Sequence, residues 1–139
     1  MGKVMVVDDT IVYRKIVTDV LGEIPGVTVV GTANNGKVAM SRIASLKPDL
    51  ITLDVEMPGM NGLEATRRIQ HSASQVHVLI LSMHSTQEHV YQALQAGASG
   101  FVAKEEASEE LVTAIRAAME KIDDPRISPE VRERLHGMH

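Results

Sequence analysis

The sequence predicts an α/β fold, a doubly wound five-stranded parallel sheet with helices on both faces. Five short apolar runs carry the first part of that expectation: Val4 to Val7, Val27 to Val30, Leu50 to Leu53, Val76 to Leu81 and Phe101 to Ala103. Each is of strand length, and near-continuous apolar character marks strands buried on both faces rather than one. The second observation is that segments with helical spacing separate the runs, and strict alternation of strand and helix is the pattern of a parallel sheet. Right-handed crossovers then bring the C-terminal ends of all the strands to one edge.

Taken in order, the first helical stripe is Tyr13, Val17, Val20, Leu21 and Ile24, and the second is Ala39, Ile43 and Leu46. Both follow the i, i+3, i+4, i+7 intervals of a helix with one buried face. The third segment, Leu63 to Gln70, has a weaker stripe but a marked start, with Asn61 as N-cap and Glu64 three positions on. Ser85 and Glu88 are spaced as a capping box ahead of Val90, Ala93 and Leu94. Gly97 and Gly100 punctuate the turn into the last strand, after which Leu111, Ile115, Ala118 and Ile122 form the fifth stripe. Asp123, Asp124 and Pro125 break that helix, and Ser128-Pro129-Glu130 has the form of a new helix start. The expected division is therefore one domain over residues 1–122 and a linker or tail over 123–139.

Composition removes several classes of function. A chain of 139 residues with 44% hydrophobic content can bury a core unaided, and the lack of cysteine excludes thiolate zinc sites, disulfides and thiol nucleophiles. No apolar stretch approaches the ~18 residues that span a membrane, and the start of the chain does not have the form of a signal peptide. With 14 basic residues against 18 acidic ones, no tryptophan and one phenylalanine, direct nucleic-acid binding by this chain is not expected. A cytoplasmic location is the expectation that suits these features.

The chemistry lies in the residues that end the runs. The first run ends at Asp8 and Asp9, the third at Asp54, the fourth at Ser82 and the fifth at Lys104; only the second ends without a reactive polar group. A lone carboxylate after a strand is more often a turn or cap residue, and Asp8-Asp9 can cap the helix that begins near Thr10. Ser82 can likewise satisfy a backbone group, and Lys104 can be an ordinary surface lysine. Together at one edge, however, these side chains make a receptor for a phosphoryl group. Three close carboxylates repel unless a proton or a cation lies between them, and hard oxygen ligands select Mg2+ or Mn2+. Lys104 adds a positive charge and Ser82 a hydroxyl donor. Asp54 is then the candidate nucleophile, forming an acyl phosphate.

These residues also resemble a known family. The Asp8-Asp9 pair, the LDVEMPGMNG loop around Asp54, Ser82, the Gly-Phe-Val-Ala-Lys stretch ending at Lys104 and the strand-helix order together resemble the receiver domains of two-component response regulators. The resemblance covers Lys3 to about Ile122. It implies the flavodoxin-like strand order 2-1-3-4-5, Asp54 as phosphoacceptor, and Asp8, Asp9, Asp54 and the backbone carbonyl of Glu56 as metal ligands. It further implies that Ser82 and Lys104 contact the phosphoryl oxygens, that Ser82 and Phe101 form a switch pair, and that a sensor histidine kinase is the donor. A changed partner or homodimer contact would be the output, with no enzymatic activity beyond the domain's own phosphorylation and dephosphorylation. The loop around Asp54 is similar to that of chemotaxis methylesterase receivers. The later stretch through RISPEVRERL is more similar to NarL/LuxR-type receivers, whose partner domain binds DNA.

Two residues depart from the family pattern: Glu105 follows the lysine where many receivers have proline, and Met83 is larger than the small residue common after the hydroxyl. Met83 is expected to restrict water at the phosphoryl group, and His84 is near enough in sequence to touch the same edge. The acids Glu105, Glu106, Glu109 and Glu110 suit a helix start. A rival reading, a phosphohydrolase of the haloacid dehalogenase type, uses similar residues, but that family places its nucleophile on the first strand with a second aspartate two positions on. Here the acidic pair comes first, and Glu56 occupies the second position after Asp54.

Overall fold

The computed structural model describes residues 2–57, 59–84, 86–104 and 108–123. Strands β1 (Gly2–Val7), β2 (Val27–Ala33), β3 (Leu50–Asp54), β4 (His77–Ser82) and β5 (Gly100–Ala103) alternate with helices α1 (Ile11–Gly22), α2 (Gly36–Leu46), α3 (Gly62–Ser72), α4 (Gln87–Gln95) and α5 (Ser108–Asp123). All strand pairings are parallel, and the sheet order is β2-β1-β3-β4-β5. The expected doubly wound architecture and strand order are therefore present. The second apolar run extends three residues further than its sequence pattern suggests, because β2 follows β1 to its end through an irregularity between Val4 and Met5.

The pleat divides the core into two halves. Met5, Val7, Ile51, Leu53, Val78 and Ile80 pack with Ala39 of α2, Ala65 and Ile69 of α3, and Ala93 of α4. Their neighbours in the strands, Val4, Val6, Leu50, Leu79, Leu81 and Val102, pack with Val17 and Leu21 of α1 and Leu111 and Ile115 of α5. Successive strand side chains face opposite ways, so a strand covered on both sides must be apolar at nearly every position. Burying one such side chain is worth about 1.5–3 kcal/mol, which is why five short strands suffice to hold the edge where the polar residues lie.

Helix starts follow local chemistry. Asn61 Oδ1 accepts from Glu64 N at 3.0 Å, as the sequence suggests, and Asn35 caps α2 in the same way through Val38 N. The α4 start differs from expectation: Thr86 is the N-cap, and its hydroxyl oxygen accepts from His89 N at 3.3 Å. A cap bonds the amide two or three residues on, and a helix opening at Gln87 makes that acceptor Thr86 rather than Ser85; Ser85 itself lies outside the described residues. Gly97, at φ 103°, turns the chain from α4 toward β5 in a conformation that L side chains rarely adopt. The expected helix start at Ser128 to Glu130 also lies outside the described residues.

Candidate functional site

Because β1 and β3 are neighbours at the point where the strand order reverses, the loops after them open side by side. Ligand sites in open α/β sheets form at such a point. The ladder continues into these loops: Asp8 N donates to Ala33 O, Val55 N to Leu81 O and Lys104 N to Ser82 O. The strand-end residues are thus fixed by backbone bonds before any side-chain contact is made.

Asp8 and Asp54 are each 1% exposed and Ser82 is fully buried, whereas Asp9 is exposed. Lys104 lies between the two buried acids, with Nζ 2.8 Å from Asp8 Oδ2 and 3.1 Å from Asp54 Oδ1. Carboxylate oxygens of Asp8, Asp9 and Asp54 come within 4.8 Å of one another. The structure therefore brings together four of the residues singled out by sequence: Asp8, Asp9, Asp54 and Lys104.

Neither acid of the pair caps α1, whose N-cap is Thr10 without a side-chain cap bond; Asp8 instead shapes the loop that leads into the helix alongside its place in the cluster. Its Oδ1 accepts from both the backbone N and the hydroxyl of Thr10, each at 2.9 Å. Arg14 reaches back from α1 to donate to the Asp8 carbonyl at 2.7 Å. One oxygen of Asp8 thus shapes the loop while the other meets Lys104.

Ser82 and Glu56 interact in a way that strand-end reasoning does not anticipate. The Ser82 hydroxyl donates to Glu56 Oε1 at 2.7 Å and accepts from His84 N at 3.0 Å. His84 Nε2 lies 3.7 Å from the same Glu56 oxygen. The amide of Glu56, in turn, donates to Asp54 Oδ1 at 3.1 Å. Glu56 therefore contributes a carboxylate as well as a backbone group to this edge, and its Oε2 is buried without a partner among the described residues. Phe101 is half-buried against the α2–α4 side of the core, and Met83 is exposed. Of the acids near α5, Glu109 and Glu110 lie exposed in its first turn; Glu105 and Glu106 are outside the described residues.

The electrostatics follow from crowding. Burial first, then the Glu56 carboxylate and the charge of Asp8, push the Asp54 carboxyl from 3.8 up to about 7, against the pull of Lys104. Burial opposes charge on Lys104 as well, but its two carboxylate partners prevail and hold its ammonium above the ordinary lysine value. Burial opposes charge on Glu56 too; the bonds from Ser82 and its other neighbours outweigh that and lower it. Three carboxylates against one ammonium leave the cluster short of positive charge, and a proton shared at Asp54 is one remedy. A divalent cation bound by the same hard oxygens is the other, and the donor set suits Mg2+ or Mn2+.

The sequence matches the family model described as response regulator receiver domain over residues 4–116. It is 47% identical over 104 residues to a protein-glutamate methylesterase/protein-glutamine glutaminase of Desulfotalea psychrophila, covering 73% of this chain and 29% of that protein. It is 37% identical over 135 residues to the response regulator GacA of Pseudomonas aeruginosa, covering 97% of this chain and 62% of that one. The chain thus spans less than two thirds of either relative. Among solved structures it is similar to the signal receiver domain of the putative response regulator NarL from Mycobacterium tuberculosis, with a TM-score of 0.79 and 36% identity over 85% of this chain and 96% of that one.

Proposed function

The chain belongs to the response regulator receiver family, a phosphorylation-dependent signalling switch, and on that premise we propose that Asp54 is its phosphoacceptor and a histidine kinase its donor. One observation carries this reading: a single ammonium, Lys104 Nζ, is held on Asp8 and Asp54 at once, at the edge where three carboxylates meet. An Asp54 oxygen attacks the phosphorus of a phosphohistidine, the P–N bond breaks, and the imidazole takes up a proton. Asp54 is left as an acyl phosphate and the donor histidine is the leaving group.

Asp8, Asp9, Asp54 and the backbone carbonyl of Glu56 would hold Mg2+ or Mn2+, which when bound neutralises charge on the phosphoryl oxygens. Lys104 would supply a second positive charge, and Ser82 would donate its hydroxyl to a phosphoryl oxygen. To do so Ser82 must give up Glu56, and Phe101 moves into the space that it vacates. The face formed by α4, β5 and α5 then changes and alters contact with a partner or a second copy.

Residues 1–122 form this switch, with 123–139 as a linker or tail. The similarity to GacA and to NarL favours a transcriptional output over a methylesterase one, since the match to GacA runs through the tail as well as the domain. The chain itself would neither bind nucleic acid nor catalyse a reaction other than its own phosphorylation and dephosphorylation. We place it in the cytoplasm with its kinase; no described helix is long and apolar enough to cross a membrane. The haloacid dehalogenase reading is set aside because Asp54 closes the third strand rather than the first.

Mass spectrometry after incubation with a small phosphodonor and Mg2+ tests the proposal. A single phosphoryl adduct lost in Asp54→Ala is expected. No adduct, or one that persists in that variant, overturns it.

A further inference from the structure

Lysine is a point charge on four flexible bonds, and its position is set by whatever holds its head. In this structure the Lys104 ammonium has three described contacts: Asp8 Oδ2, Asp54 Oδ1 and the face of the Tyr13 ring, whose centroid is 4.4 Å from Nζ. That separation is well inside the range over which an aromatic face attracts a cation. The ring is itself anchored, since Tyr13 is half-buried against the core half that contains Val4, Val6 and Val17. Arg14, the next residue of α1, ties the same turn to the Asp8 carbonyl at 2.7 Å.

The two carboxylate contacts are shared property. Both belong to the set proposed above to hold a divalent cation, and a cation on those oxygens weakens their hold on the ammonium by competing for the same charge and by direct repulsion. Asp54 changes further once it is phosphorylated, because its own negative charge is lost to the acyl phosphate linkage. The Tyr13 face is the one described contact of the ammonium that neither event weakens by competing for its partner. A saturated side chain of similar size would fill the same volume but present no negative quadrupole to the charge.

We propose that Tyr13 is a positioning residue for phosphoryl transfer: its ring face holds the Lys104 ammonium at the site while the carboxylates are engaged elsewhere. This rests on Asp54 being the phosphoacceptor, and the test separates the two claims. Tyr13→Leu keeps an apolar side chain and removes the ring; Tyr13→Phe keeps the ring. In the metal-free, unphosphorylated protein, the ε-methylene protons of Lys104 should be displaced upfield by the ring current in the native protein and in Tyr13→Phe. They should return toward the ordinary lysine position in Tyr13→Leu.

With saturating Mg2+ and a small phosphodonor, the initial rate of adduct formation should fall about three- to five-fold in Tyr13→Leu and recover in Tyr13→Phe. If Tyr13→Phe is as slow as Tyr13→Leu, or if Tyr13→Leu keeps the native rate or the shifted resonances, the positioning role is wrong. If the native protein takes up no phosphoryl group while the resonances behave as stated, the ring holds the lysine but the phosphoacceptor assignment fails, and the role in transfer fails with it.

Discussion

Replacing Asp54 with Asn probes the charge balance of the site without any phosphoryl chemistry. In the metal-free protein, burial, the Glu56 carboxylate and Asp8 raise the Asp54 carboxyl from 3.8 to about 7. Between those values the folded protein keeps a proton that the unfolded chain has released. The sign is therefore opposite to that of a salt-bridged acid: this group's contribution to stability falls as pH rises from about 4 to about 7 and stays low above that. Roughly one unit of the shift is already expressed near pH 5 and all three near pH 8. At 1.36 kcal/mol per unit, about 2.7 kcal/mol accrues between the two. Relaxation and water entry reduce this, so a change of about 1–3 kcal/mol is expected. Urea unfolding in a chelating buffer at about pH 5 and about pH 8 gives the number, because groups that titrate in both proteins largely cancel in the difference. Asp54→Asn should gain on the native protein by that amount on going to the higher pH, and added Mg2+ should stabilise the native protein more than the variant. A native protein that instead gains on Asp54→Asn as pH rises would refute the assigned crowding.

Glu56→Ala removes the acceptor that occupies the Ser82 hydroxyl at 2.7 Å. A hydrogen bond of this kind is worth on the order of 1 kcal/mol or somewhat more, so the initial rate of phosphorylation by a small phosphodonor should rise about five-fold, and an unchanged or lower rate would count against the engagement of Ser82 by Glu56. Gly62→Ala should destabilise by about 2–3 kcal/mol in urea unfolding. An added Cβ would overlap the Asp54 carbonyl oxygen and lie 2.7 Å from Val55 Cα, both backbone atoms that cannot swing aside; a midpoint equal to that of the native protein would show that the loop yields there.

The parts of this protein that were legible in its sequence are those set by the backbone. Five apolar runs and their alternation with helical stripes determine which strand ends share an edge, and so Asp8, Asp9, Asp54 and Lys104 meet as expected. What the sequence did not show depends on side-chain direction. Glu56 follows Asp54 by two residues in a loop, where no period dictates where a side chain lies, and only the fold shows its carboxylate accepting a hydrogen bond from the Ser82 hydroxyl. The cap of α4 shows the same limit at smaller scale, since Ser85 and Thr86 are both good caps and a one-residue difference in where the helix opens selects between them. Tyr13 read as a core residue in the first helical stripe. Its packing is indeed apolar, yet its ring also faces Lys104, and the stripe that places it in the core carries no signal for that second contact.

These contacts bear on how the site passes from one state to the other. Before transfer, the ammonium is balanced by two buried carboxylates and the Ser82 hydroxyl is committed to Glu56. On the proposed assignment, transfer replaces the single charge of Asp54 with a phosphoryl group carrying nearly two, beside Asp8 and Asp9, which keep theirs. The demand for positive charge and for hydroxyl donors at that spot rises just when Asp54 ceases to attract Lys104 directly. A site held together only by its carboxylates would have to find its lysine again at each cycle. One whose lysine rests on the ring of an anchored tyrosine keeps that charge in place, and in the proposed switch the bond from Ser82 to Glu56 is then the contact that must be exchanged.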